Sequence, residues 1–160
     1  MITYEKANKM FYYENGKLFR KISTCNKIKV GDEVGYKDSK GHLRFEMNNK
    51  TYAVHTIIFL LFYKYLPKMI DHINGIKDDN RIENLREATA SQNCMNISKP
   101  KSNTSGVKNV SWNKRNKKWI VYININKKRT HIGCYEDLEL AELVATEARI
   151  KYHKEFARHA

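Results

Sequence analysis

Between Trp119 and Ile125 the chain is written with a period of two: Trp119, Val121, Ile123 and Ile125 fall on one parity, Ile120, Tyr122 and Asn124 on the other. Successive side chains of a strand point to opposite faces, so the first set predicts the buried face of a sheet. From Asp137 to Phe156 the period becomes helical, with Ala141, Val144, Ala145, Ala148 and Tyr152 sharing one side and Asp137 a suitable N-cap. Flanking strands are expected at 107–112 and 128–132. The turn Asn126-Lys127 is less favourable than Asn-Gly, because lysine resists the left-handed conformation that such hairpins require. A three-stranded sheet covered on its Trp119 face by one helix follows, which makes Trp119 a core residue and leaves Tyr122 and Asn124 outward.

A second module is expected upstream. Residues 99–105 hold a proline and small polar residues without apolar periodicity and read as a linker, dividing the chain into 1–98, a linker at 99–104, and 105–160. The first fifty residues read as strands and turns. Asn15-Gly16 is a hairpin signal, Leu43, Phe45 and Met47 alternate with Arg44 and Glu46, and Asn48-Asn49 makes a turn before Lys50 to Val54. That small antiparallel sheet needs a cover, supplied by a helix from His55 to Tyr65 that Pro67 stops. Then come a short strand at 69–73, a turn-rich stretch from Asn74 to Arg81, an extended piece at 85–89, and a helix capped by Ser91. The fold class expected is α+β.

Charge narrows the partners. Thirty Lys and Arg stand against seventeen Asp and Glu, a formal net charge of +13. From Lys99 to His131 there are ten basic residues and no acidic one, the footprint of a nucleic-acid-binding surface. The longest apolar run, Ile57 to Tyr63, is far short of the roughly 18 residues of a membrane span, and no signal-peptide pattern opens the chain. A soluble protein with no membrane partner, cytoplasmic in its host and monomeric in solution, is expected. Cys25, Cys94 and Cys134 are too scattered for a zinc site or a disulfide framework and read as reduced, structural residues.

The residues able to carry chemistry cluster between 55 and 96. Asp71-His72-Ile73-Asn74-Gly75, then Asn80-Arg81-Ile82-Glu83-Asn84-Leu85-Arg86 and Ala88-Thr89, preceded by Val54-His55, form a dense polar series. In these residues the chain resembles the H-N-H nucleases of phages and mobile introns, whose module is a ββα-metal unit. The resemblance implies that His72 is a general base and that Asp71 and Asn93 hold a divalent cation, magnesium first. Imidazole titrates near neutral pH, as a base that activates water must. A carboxylate and an amide oxygen leave most of the coordination shell to water and phosphate, which magnesium favours. The middle asparagine, Asn84, in such proteins more often ties the loop to the backbone than ligates the metal. His55 packs against or orients the site, Asn80 and Arg81 shape the loop, and Arg81 or Arg86 could reach a phosphate. Zinc-binding cysteines found in some relatives are missing, so no structural zinc is expected.

Residues 105–156 resemble the DNA-binding domain of plant ethylene-response factors, through Ser105-Gly106-Val107, Ser111-Trp112, Lys118-Trp119, His131-Ile132-Gly133 and Lys151 to Ala157. That resemblance implies a sheet lying in the major groove of duplex DNA, with Lys108, Tyr122, Asn124, Arg129 and His131 as contacts and Trp112, Lys114 and Arg115 nearby. The plant domains place arginines where Lys108, Tyr122 and Asn124 stand, so their target sequence does not transfer. Together the two resemblances imply a phage-encoded, metal-dependent DNA endonuclease of the homing or nicking kind; one H-N-H site in a monomer most simply nicks. The alternatives are a DNA-binding regulator with an inactive nuclease module and an RNA-binding protein, the latter suggested by charge but by no RNA-specific aromatic motif.

Overall fold

The structure is a computed structural model, and it describes residues 2–23, 27–125 and 128–159. Cys25 and the expected Asn126-Lys127 turn lie outside the described residues. The architecture is α+β, and the chain divides into two compact units, Met1–Ala88 and Thr89–Ala160.

The first unit begins with a helix, α1 (Tyr4–Met10), where sequence reading expected strands and turns. It is seven residues long, too short for periodicity to reveal. Its local signals are nevertheless present: Thr3 Oγ1 accepts from the backbone N–H of Lys6, Glu5 sits in the first turn and Lys9 in the last. Burying Ala7 and Met10 holds it to the core. Strands β1 (Phe11–Glu14) and β2 (Lys17–Arg20) form a hairpin whose turn residues, Asn15 and Gly16, both have positive φ (47° and 82°). This is the conformation that matches the right-handed twist of the paired strands.

Strands β3 (Tyr36–Lys37), β4 (Leu43–Met47) and β5 (Lys50–Ala53) make an antiparallel sheet in that order, turned by Asn48 and Asn49 at φ 51° and 57°. Phe45 and Met47 are buried as alternation predicts, while Leu43 is half-buried. Helix α2 (Val54–Tyr63) covers this sheet and buries Val54, Ile57, Ile58, Phe59 and Leu60, each contributing roughly 1.5–3 kcal/mol by removal from water. It ends earlier than expected. Lys64 adopts the left-handed conformation (φ 61°) and donates its N–H to Leu60 O, so the helix closes three residues before Pro67.

Strands β6 (Ile70–His72) and β7 (Leu85–Glu87) pair antiparallel with Asp71 opposite Arg86 and His72 opposite Leu85. Between them runs a loop closed by a 3₁₀ turn at Ile82–Asn84.

The second unit begins with α3 (Ala90–Met95). Its cap is Thr89 rather than Ser91: Thr89 Oγ1 accepts from Gln92 N (3.2 Å) and Gln92 Oε1 accepts from Thr89 N (2.7 Å), a reciprocal capping box. Strands β8 (Val110–Asn113), β9 (Lys118–Ile125) and β10 (Lys128–Tyr135) form a sheet in the order β10-β9-β8, backed by α4 (Leu138–His153), which Asp137 caps. β8 starts three residues later than expected, and β10 runs on to Tyr135 through a bulge between His131 and Gly133. The core between sheet and helix is small, built on Val110, Val121, Ala141 and Ala145 with Trp119, Ile132, Tyr135 and Leu138 at its edge.

The buried face of α4 differs from the expected one. Tyr152 is exposed, and Arg149 and His153 are buried in its place. Arg149, 1% exposed, donates to Lys108 O (2.6 Å) and Thr146 Oγ1 (2.9 Å), and His153 Nε2 bonds Asn124 O (2.9 Å). These polar groups satisfy backbone carbonyls that so small an apolar core leaves inside. Cys94 and Cys134 are free and exposed, not packed as structural residues.

Candidate active site

Strand β6 is short, and both polar residues on it are buried: Asp71 is 4% and His72 6% exposed. Their side chains leave opposite faces of the strand, and each meets its own partner. Arg86, directly across the ladder, donates from Nε (2.8 Å) and Nη2 (2.7 Å) to Asp71 Oδ2. The fork holds a buried carboxylate in place. His72 Nε2 lies 3.0 Å from Asn80 Oδ1.

Two further histidine rings adjoin His72. His55, in the first turn of α2, stands edge-on at 5.1 Å between ring centroids, and His42, just before β4, lies 6.1 Å from His72 and 5.8 Å from His55. Burial first, then the neighbouring His72 and His42 rings, pushes His55 down to about 3, so it is a neutral ring throughout the physiological range. His42 is also lowered, by burial and by Lys77, against the opposing pull of Asp38. Sequence reading did not single out His42. Its only sequence signal is a polar residue opening an amphipathic strand. What brings it to the site is tertiary: Lys37 pairs with Asp78 (2.7 Å) and Lys77 Nζ donates to Lys40 O (2.9 Å), laying the β3–β4 connection against the 74–84 loop.

That loop is stapled from within. Asn84 Oδ1 accepts from Asn74 N (2.9 Å), and its Nδ2 donates to Asn74 Oδ1 (3.0 Å) and Asp79 O (2.7 Å). Arg81 is half committed to the same frame through Asp79, whose carboxyl it holds well below the usual carboxylate range. Arg86 faces Asp71. Neither arginine projects as an isolated phosphate hook. Asn93 lies on α3, half-buried, in the second unit.

Among the described residues no group of three or more His, Cys, Asp or Glu side chains is arranged to hold a metal ion. The carboxylate of Asp71, fixed by Arg86, is a hard oxygen donor of the kind a hydrated divalent cation takes.

In the second unit the ladder sets Arg129 opposite Asn124 and His131 opposite Tyr122, so four of the expected contacts form a two-by-two grid on the face away from α4. Arg129 stacks over the Tyr122 ring at 4.0 Å, and Tyr122 and His131 are 5.3 Å apart. His131 Nε2 also lies 3.3 Å from Cys134 Sγ. α3 and the segment after it flank this face, enclosing a cavity of about 840 Å³ that Cys94, Met95, Tyr122, Asn124 and Arg129 help to line. Lys114 and Arg115 are exposed on the β8–β9 turn.

Two other expected contacts are placed elsewhere. Lys108 is buried, with Nζ donating to the carbonyls of Met95 (2.9 Å) and Arg158 (3.2 Å); burial, with Arg149 and Arg158 nearby, lowers it to about 8. Trp112 pairs across the ladder with Trp119, whose ring packs on the core, so it belongs to the helix side of the sheet.

Residues 52–95 match the HNH endonuclease family. The chain is also 36% identical over 97 residues to "Protein 3.8" of Escherichia phage T7, an alignment spanning 58% of this chain and 78% of that protein. No solved structure matches at a significant level. Buried Asp71 and His72 on the strand before a stapled loop, the family match across them, and a phage relative aligned over more than two thirds of its length agree: the chain belongs to the family of phage T7 protein 3.8 and carries an HNH endonuclease domain.

Proposed function

We propose that the protein is a divalent-metal-dependent DNA endonuclease, of the nicking or homing kind, that hydrolyses phosphodiester bonds with His72 as its general base. The observation that carries this reading is the burial of Asp71 and His72 at adjacent positions of β6, each oriented by a partner, Arg86 and Asn80. His72 takes a proton from the attacking water. Asp71 supplies a fixed oxygen donor to the cation, and the family resemblance adds Asn93 as a second. Magnesium, when bound, supplies positive charge for the leaving oxygen. Asn84 and Asp79 hold the loop so that neither His72 nor Asp71 has to be ordered during turnover. The grid of half-buried Tyr122 with exposed Asn124, Arg129 and His131, together with Lys114 and Arg115 on the β8–β9 turn, binds duplex DNA in this reading. Arginine and asparagine suit purine edges, and the lysines suit phosphate.

The test is strand scission of supercoiled and linear duplex DNA with magnesium or manganese and with a chelator control. Cleavage that needs the metal, and that His72→Ala abolishes while DNA binding persists, is the expected result. Binding without scission under every divalent metal would sink the nuclease reading and favour a DNA-binding regulator. Mapping the ends on both strands distinguishes nicking from double-strand cutting.

A further inference from the structure

Two asparagines of the 74–84 loop are buried, and they are used in opposite ways. Asn84 is satisfied at both ends of its amide, by Asn74 and Asp79. Asn80 is more deeply buried, at 1% exposure, yet its Nδ2 has no hydrogen-bond partner while its Oδ1 lies 3.0 Å from His72 Nε2. An unpaired buried donor costs folding free energy. A residue selected only to brace the loop would be paired as Asn84 is. The contact for which this cost is borne is the one to His72.

The chemistry of that contact is specific. An amide oxygen only accepts, so the nitrogen facing it must carry the proton, and a neutral imidazole has one N–H to place. Holding it on Nε2 makes Nδ1 the basic nitrogen. An amide does this without adding a second negative charge beside Asp71. We propose that Asn80 is a positioning residue that locks His72 in its Nε2–H tautomer and sets the ring so that Nδ1 receives the proton from water. This rests on His72 being the base, and it assigns to Asn80 a function beyond shaping the loop.

The experiment records long-range ¹H–¹⁵N imidazole spectra of the full chain, without DNA or metal, at a pH where the rings are neutral. The His72 signals are identified with His72→Gln, and cleavage and Tm are measured on Asn80→Leu and Asn80→Asp. Expected are a pure Nε2–H pattern for His72 in the parent and in Asn80→Asp, and a mixture of tautomers in Asn80→Leu. Asn80→Leu should cut about a hundredfold more slowly while its Tm changes little, since the orphan donor is gone but His72 Nε2 loses its acceptor. Asn80→Asp, which still accepts from Nε2, should recover most of that loss.

An Nδ1–H pattern in the parent would overturn the proposal. So would an Asn80→Leu protein that keeps the parental tautomer and rate, or one that loses activity only in step with its Tm. Should Asn80→Leu fail to fold, the parental tautomer and the Asn80→Asp protein still decide. If His72→Ala retains cleavage, the base assignment fails on its own evidence, whatever tautomer is observed.

Discussion

The two units solve opposite problems with buried polar groups. In Met1–Ala88 a sizeable apolar core, with Phe11, Leu18, Ile57 and Ile58 fully enclosed, can support a site in which Asp71, His72, Asn80 and Asn84 are all withdrawn from water. In Thr89–Ala160 the cluster between sheet and helix is built on two valines and two alanines, with Ile120, Ile123, Ala148 and Phe156 also buried, and the buried polar residues Arg149, His153 and Lys108 are spent on main-chain carbonyls. Apart from half-buried Asn93 on α3, its functional candidates lie on the grid of Tyr122, Asn124, Arg129 and His131. The difference teaches how to sort buried charge. Where polar side chains face one another they prepare chemistry; where they face the backbone they hold a thin fold together. Proton abstraction needs fixed, desolvated groups, whereas phosphate binding needs exposed ones that release counterions.

The largest effect that would break this division concerns His72. His72→Ala should lower cleavage by roughly 10²–10⁴-fold with DNA affinity unchanged, read by plasmid nicking and a gel shift on one preparation. A parallel loss of binding would mean the units do not divide the work. Next comes Arg86→Met, which removes the partner of a buried carboxylate. It should cost the first unit about 3 kcal/mol in denaturant unfolding, far more than an exposed pair such as Lys17–Glu33 would. Arg149→Met strands the carbonyl of Lys108 and should destabilise the second unit by roughly 1–3 kcal/mol, with catalysis on a short duplex at saturating DNA kept.

A pH titration of stability sharpens the contrast further. His55 is held at about 3 in the folded chain against an ordinary 6.5, so the unfolded chain takes up a proton that the folded one refuses. Its contribution is complete above about pH 6.5 and is lost as pH falls towards 3, with a slope of up to about 1.4 kcal/mol per pH unit. His55→Phe should flatten that slope; an unchanged slope would show that His55 is not the group responsible. The smallest effect is expected at the exposed grid. Arg129→Ala should weaken duplex binding about tenfold and reduce the salt slope by about one. A larger salt effect from Lys108→Ala than from Arg129→Ala would contradict the buried placement of Lys108.

Hairpin turns, the alternation of β9 and the helical period of α4 were legible because each is a local pattern repeated several times. The polar series from Asp71 to Asn84 was legible because it is dense and because a strand, loop and strand can be read around it. Helix α1 was hidden by its brevity. The true cap at Thr89 was mistaken for Ser91 because either hydroxyl precedes a helical run, and only the reciprocal bond with Gln92 separates them. The buried face of α4 differs at Tyr152 because apolar periodicity does not mark arginine or histidine, and Arg149 and His153 meet backbone carbonyls that no sequence pattern announces.

By itself, then, the sequence determined the α+β class, the sheet-and-helix plan of the C-terminal part, the acid-free basic tract and the Asp71-His72 pair. Those follow from periodicity and from residue chemistry, which are properties of neighbours along the chain. Only the tertiary structure decided that His42 joins His55 and His72, that Arg86 holds Asp71, that Asn80 faces His72 with one end of its amide unpaired, and that Lys108 turns inward. Each of these depends on which distant backbone comes within hydrogen-bonding range, and that distance is set by packing, not by spacing.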